Sequence, residues 1–125
     1  MKPFINESKE DYLETILILS KRLPVVRSID IANELNFKKS SISVAMKNLR
    51  EKGYIEMAST GYITLTSEGQ KIAETVYERH EVLTSLLLSL GVPEQIASED
   101  ACKMEHVLSP ESFEAIKKAH CCNLK

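Results

Sequence analysis

The side chains best suited to chemistry in this chain are metal ligands. Cys102, Glu105 and His106 stand at i, i+3 and i+4, so one helical face presents a thiol, a carboxylate and an imidazole. Asp11 and Glu14 are three apart and place two carboxylates on one face of another helix. His80 falls in a third helical stretch. Thiol and imidazole favour borderline transition metals, and carboxylates add Fe²⁺ and Mn²⁺ to that range. Taken singly, each residue has a plainer reading. Acids suit a helix N-terminus, a lone histidine is ordinarily surface or core, and a lone cysteine packs as a small hydrophobe. Six candidate ligands on three helices point to a divalent ion. His120 has no partner pattern. Cys121 and Cys122 are adjacent, cannot pair without a strained peptide, and read as free thiols of a reducing cytoplasm. No Gly-rich loop or nucleophile arrangement is present, so an enzyme is not expected.

A second chemistry lies in Phe37-Lys38-Lys39-Ser40-Ser41-Ile42-Ser43. Lysines and serines at a helix start suit phosphates and base edges, and the free amides of that helix end add attraction for phosphate. Lys47 and Arg50 lie further along the same helix. A solvated helix start has the same composition, so this pattern needs its surroundings to be read.

Those surroundings are the elements that must position these residues. Apolar Tyr12, Leu13, Ile16, Leu17 and Leu19 predict a helix from Lys9 to Lys21, with Ser8 as its N-cap and Pro24 beyond its end. A short extended piece, Val25-Val26-Arg27, follows. Ser28 is expected to cap a helix over Ile29–Leu35, and Asn36-Phe37 forms a turn into a helix over Lys39–Lys52, stopped by Gly53. Two strand-like runs, Tyr54–Ala58 and Tyr62–Leu65, flank the small polar loop Ser59-Thr60-Gly61. Thr66-Ser67-Glu68 opens a long helix to Leu90. Gly91 ends it, Pro93 starts a helix to Leu108, and a last helix covers Pro110–His120. Two helices, a tight turn and a hairpin make a winged helix-turn-helix, whose second helix enters the major groove. Arg27, Lys38, Lys39, Ser40, Ser41, Ser43, Lys47 and Thr60 are the expected DNA contacts. The fold class is mainly α: a winged helix-turn-helix DNA-binding domain over 1–70, then an all-helical dimerisation domain over 71–125.

Composition sets bounds on this reading. The 125 residues are 43% hydrophobic and 27% charged, ordinary for a soluble globular chain with room for one or two small domains. No run of about 18 apolar residues is present to span a membrane. The N-terminus lacks the apolar core of a signal peptide, which places the chain in the cytoplasm. A net charge of −2 taken whole points away from nucleic acid. The charge is segregated, however. Residues 1–62 hold ten Lys and Arg against eight Asp and Glu, whereas residues 63–125 hold six against ten. The mildly positive part is the one that carries the recognition helix.

Several stretches resemble the diphtheria-toxin-repressor family of iron- and manganese-dependent repressors, above all its short manganese-regulator branch. They are Glu10-Asp11-Tyr12-Leu13-Glu14, Ser28-Ile29-Asp30-Ile31-Ala32 with Lys39-Ser40-Ser41, Leu65-Thr66-Ser67-Glu68-Gly69, Glu78-Arg79-His80-Glu81-Val82-Leu83, Leu90-Gly91-Val92 and Met104-Glu105-His106-Val107-Leu108-Ser109. The resemblance implies a homodimer on a palindromic double-stranded operator, repressing metal-ion uptake genes. It implies Mn²⁺ or Fe²⁺ held between the domains by Asp11, Glu14, His80, Cys102, Glu105 and His106, with Co²⁺ or Zn²⁺ accepted in vitro. It also implies a hybrid site, because Asp11 matches the manganese branch and Cys102 the iron branch. Thr84 stands where the iron branch needs an ancillary ligand, and the chain ends before the SH3-like domain of longer members. Ion binding would neutralise Asp11, Glu14 and Glu105 and fix the separation of two recognition helices against half-sites about one helical turn, or a multiple of it, apart. The alternative is a winged-helix regulator that answers to a small molecule or to oxidation of Cys102.

Overall fold

The computed structural model describes residues 9–123, with side chains described as far as His120. The order is α1 (Lys9–Arg22), α2 (Ser28–Leu35), α3 (Lys39–Glu51), β1 (Ile55–Met57), β2 (Ile63–Leu65), α4 (Ser67–Ser89), α5 (Glu94–Met104) and α6 (Pro110–Asn123). The chain divides into two compact units, one extending to Thr75 and the other beginning at Val76. None of the described helices is long and apolar enough to cross a membrane. Ser8, the expected cap of α1, and the side chains of Cys121 and Cys122 lie outside the described residues.

In the first unit the apolar spacing decides which faces are buried. Leu13, Ile16 and Leu17 of α1, Ile31 and Ala32 of α2, and Ile42, Met46 and Leu49 of α3 form the core with Ile55 and Ile63 of the hairpin. The α2 start differs from expectation: its N-cap is Arg27, whose backbone N–H donates to Asp30 Oδ2 at 2.9 Å. The acid three residues on therefore satisfies the helix start, and Ser28 is simply the first helical residue. The turn into α3 runs through Asn36 at φ 60°, a left-handed conformation that asparagine tolerates better than most residues. Phe37 then donates its N–H to the Ala32 carbonyl at 3.0 Å, and its ring meets Tyr12 edge-on with centroids 6.5 Å apart. The angle between α2 and α3 is thus held at the turn as well as through the core.

The strands pair antiparallel in the register Ile55↔Leu65, Glu56↔Thr64 and Met57↔Ile63. They are shorter than the apolar runs suggested, because Ala58 and Tyr62 already close the loop through an Ala58 N–H to Tyr62 carbonyl bond. The expected extended piece reaches the sheet: the Ile63 N–H donates to the Val26 carbonyl at 2.8 Å. At the start of α4, Thr66 Oγ1 donates to the Gly53 carbonyl at 2.7 Å and accepts from the Gly69 N–H at 3.2 Å. One threonine therefore caps the helix and ties it to the turn that precedes the hairpin.

The second unit has a smaller core, with Val76, Leu83, Ala97, Ala101 and Phe113 all buried. Ala97 and Ala101, at i and i+4, give α5 a face of small side chains for close packing. Gly91, at φ 97°, ends α4, and the Val92 N–H reaches back to the Leu87 carbonyl. Pro93 is the N-cap of α5 and not its first helical residue. The larger departure is at the other end, where α5 stops at Met104 instead of reaching Leu108. His106 and Val107 N–H groups bond to the carbonyls three residues back, at 3.4 and 3.1 Å. Ser109 then caps α6, accepting the Ser112 N–H at 3.0 Å.

Gly69 gives a test of this packing. A Cβ there would overlap the Tyr54 carbonyl oxygen. In an unobstructed helix Gly→Ala stabilises by roughly 0.5–1 kcal/mol. Here the backbone contact reverses the sign, and Gly69→Ala is expected to destabilise by about 1–3 kcal/mol in urea unfolding.

Candidate functional site

The ligand-type residues of the second unit converge on Glu105. This residue is 1% exposed. Its Oε1 lies 3.1 Å from His80 Nδ1, and its Oε2 lies 3.4 Å from His106 Nε2. Cys102 Sγ is within 4.8 Å of a Glu105 carboxylate oxygen. The sequence placed Cys102, Glu105 and His106 on one continuous helical face. The structure instead keeps Cys102 in the last turn of α5 and puts Glu105 at the helix end, with His106 in the tightened turn after it. The residues still gather, because a turn bonded three residues back stays compact and keeps His106 beside the helix end.

The donor set fits a divalent ion. Burying an ionised carboxylate is costly unless it is paired and fully hydrogen-bonded. Glu105 Oε2 is buried and has no hydrogen-bond partner among the described residues, where His106 makes a longer charge contact to it. When His80 donates its Nδ1–H to Oε1, its Nε2 keeps the lone pair that a ligand nitrogen needs. A thiol, a carboxylate and two imidazoles in one place suit borderline metals.

Asp11 and Glu14 belong to the first unit and lie on α1, one turn apart and 7% exposed each. They are buried carboxylates, where a solvated helix start would have left them in water. His120, which has no partner pattern in the sequence, is also buried, and its Nε2 lies 3.0 Å from Ser85 Oγ. It is a core histidine paired with Ser85.

The expected DNA contacts in the first unit form an exposed set. Lys38, Lys39, Ser40, Ser41, Ser43 and Lys47 are exposed around the start and outer face of α3, while Ile42, Met46 and Leu49 are buried behind them. Lys38 is the N-cap of α3 and no side chain caps the helix, so its first amides are left for an outside acceptor. Thr60 is exposed at the hairpin tip. Arg27 is exposed and held: its guanidinium lies 5.0 Å from the Tyr62 ring centroid and donates to the Tyr62 hydroxyl at 3.3 Å. Tyr62 escaped the sequence reading, since nothing in local spacing links residues 27 and 62. Its position at the hairpin mouth, opposite the residue before α2, was the available signal.

Comparisons with known proteins agree with both halves of this description. Residues 5–62 match the family described as "Iron dependent repressor, N-terminal DNA binding domain". Residues 66–120 match "Iron dependent repressor, metal binding and dimerisation domain". The chain is 36% identical over 108 residues to the transcriptional regulator MntR of Escherichia coli O157:H7, covering 86% of this chain and 70% of that protein. It is also 36% identical over 115 residues to an HTH-type transcriptional regulator of Methanocaldococcus jannaschii, covering 90% and 92%. Among solved structures it is similar to the manganese regulator SloR, with a TM-score of 0.79 and 26% identity over 90% of this chain. The chain spans 53% of that structure's length.

A phosphate-facing role for α3 has a measurable signature. Lys38→Ala and Lys39→Ala are each expected to weaken binding to all duplex sequences alike. Each should lower the slope of log affinity against log salt by about 0.9 for every phosphate that is no longer neutralised. Salt titrations of the wild type and both variants on operator and unrelated duplexes measure this.

Proposed function

The chain belongs to the iron-dependent repressor family and is a metal-dependent, DNA-binding transcriptional regulator; from that premise we propose that Asp11, Glu14, His80, Cys102, Glu105 and His106 hold its divalent ion. It is not an enzyme, and a regulator governed by a small molecule or by oxidation of Cys102 does not fit this family. The single observation that carries the ligand assignment is Glu105, a buried carboxylate flanked by two imidazoles, with one oxygen lacking a hydrogen-bond partner among the described residues.

We assign residues 1–70 to DNA binding and 71–125 to metal binding and dimerisation. The regulator acts as a homodimer in the cytoplasm, on a palindromic duplex, to repress metal-ion uptake genes. Arg27, Lys38, Lys39, Ser40, Ser41, Ser43, Lys47 and Thr60 meet that duplex. The lysines and the uncapped α3 amides position the protein on phosphates, and the serines reach base edges. Tyr62 orients Arg27 for the same face.

The ion supplies positive charge that neutralises the carboxylates. Asp11 and Glu14 are the ligands that α1 would contribute. A protein whose metal-loaded form binds DNA better must also bind metal better on DNA, by the same factor. Its two recognition helices must match half-sites about one helical turn, or a multiple of it, apart.

The metal is Mn²⁺ or Fe²⁺. The similarity to a structure named as a manganese regulator supports Mn²⁺. The Cys102 thiolate is softer than a carboxylate and pulls the preference toward Fe²⁺, Co²⁺ or Zn²⁺. DNA binding in a gel shift is expected to be lost with chelator and restored by Mn²⁺ or Fe²⁺ under anaerobic conditions. Cys102→Glu is expected to move the activating preference toward Mn²⁺. Binding indifferent to chelator would sink the metal reading, and an unchanged metal order in Cys102→Glu would sink the role given to the thiol.

A further inference from the structure

We infer that Arg79 is a positioning residue for the metal ligands, a clamp that holds the turn carrying Glu105 and His106; the inference rests on reading those two residues as ligands. α5 ends at Met104; the Glu105 N–H still bonds to the Ala101 carbonyl at 2.9 Å, but His106 and Val107 leave the helical pattern and bond to carbonyls three residues back, at 3.4 and 3.1 Å. Such a turn does not by itself fix a carboxylate to the tolerance that a metal site requires. Arg79 supplies the missing restraint from α4. Its Nη1 donates to the Glu105 carbonyl at 3.0 Å and to the Leu108 carbonyl at 2.9 Å. These two acceptors bracket His106 and Val107, so one nitrogen spans the whole turn.

The guanidinium is itself fixed, with its carbon 5.3 Å from the Phe113 ring centroid at the start of α6. α4, the 105–108 turn and α6 are thus joined through one side chain. The adjacent residue, His80, reaches the Glu105 carboxylate at 3.1 Å. The dipeptide Arg79-His80 therefore holds Glu105 twice, by its backbone oxygen and by its side chain. A cation placed against carbonyls at a helix C-terminus is also favourable with the helix dipole.

The cost of this arrangement separates positioning from plain structural support. Arg79 Nε is buried with no hydrogen-bond partner among the described residues. A half-buried guanidinium with an unmet buried donor contributes little net stability, and a well-packed apolar replacement of such a group is often neutral. Arg79→Met keeps the stem against Phe113 and removes both donors. Arg79→Gln keeps a shorter neutral donor, and Arg79→Lys keeps the charge and several donors.

The test is Co²⁺ binding to the full chain, read by calorimetric titration and by the visible absorption of the bound ion, with thermal unfolding of the metal-free protein alongside. Arg79→Met is expected to lose about 10–100-fold in Co²⁺ affinity, the usual range for an outer-shell partner of a metal ligand. Its Co²⁺ absorption should change while its metal-free melting temperature stays near wild type. Arg79→Gln should fall between, and Arg79→Lys should regain most of the affinity. If Arg79→Met does not fold, the Gln variant carries the test. Wild-type Co²⁺ affinity and absorption in folded Met or Gln variants would overturn the clamp. So would an affinity loss that merely follows a collapse in metal-free stability and is not rescued by Lys. Glu105→Gln is the control. If it too binds Co²⁺ as wild type does, the ligand assignment itself fails and the clamp falls with it; if it alone weakens binding, only the clamp is wrong.

Discussion

A carboxylate held out of water between two imidazoles is the constraint around which the second unit is arranged. Glu105 is 1% exposed, and its oxygens face His80 and His106 at 3.1 and 3.4 Å. In a low-dielectric interior that charge is costly unless opposite charge or hydrogen bonds meet it, and among the described residues one oxygen is left unmet by hydrogen bonds. Much nearby follows from satisfying this group. α5 ends just before Glu105, the following turn tightens, and Arg79 takes up carbonyls that the helix no longer uses. A structure built only for stability would have put an apolar side chain there, since replacing such buried polar groups with apolar ones is often neutral or favourable. Retaining Glu105 is consistent with the ligand role proposed for it.

The DNA-binding unit obeys a different logic. Its helices are set by a continuous apolar core and by a turn that needs φ 60° at Asn36. Once Ile42, Met46 and Leu49 are buried, the helical period leaves Ser40, Ser43 and Lys47 facing water. The outer face of α3 is therefore free to vary in chemistry without touching stability. The mild positive charge of the first 62 residues belongs to this face, and the excess acid of the rest includes Glu105. The net charge of −2 averages over these two roles and describes neither of them.

Much of this was legible in the residues. Apolar spacing located every helix among the described residues to within a few positions at most ends, and the Gly53, Gly61 and Gly91 stops all have positive φ. The six ligand candidates and the exposed lysines and serines of α3 were legible as residue types at helical intervals. What escaped was of one kind. The start of α2 is closed by Asp30, which accepts the Arg27 N–H, and Ser28 is one residue inside the helix, a one-residue shift that local sequence does not rank. The end of α5 came four residues early. Met104, Glu105, His106 and Val107 contain no Gly or Pro to mark the stop, and the helix yields to Glu105 and Arg79 instead. Tyr62 and Arg79 act on partners 35 and about 26–29 residues away.

The amino-acid sequence alone settled the order of elements, the faces they bury and the chemical identity of the candidate ligands. These depend on periods of two and 3.6 residues and on side-chain type, which are local properties. Only the tertiary structure decided that Glu105 is buried between His80 and His106, that Arg79 spans the turn beside it, and that Arg27 rests on Tyr62. Those facts arise when helices far apart in sequence compete to satisfy the same few buried polar groups. Spacing along the chain carries no record of which of them wins.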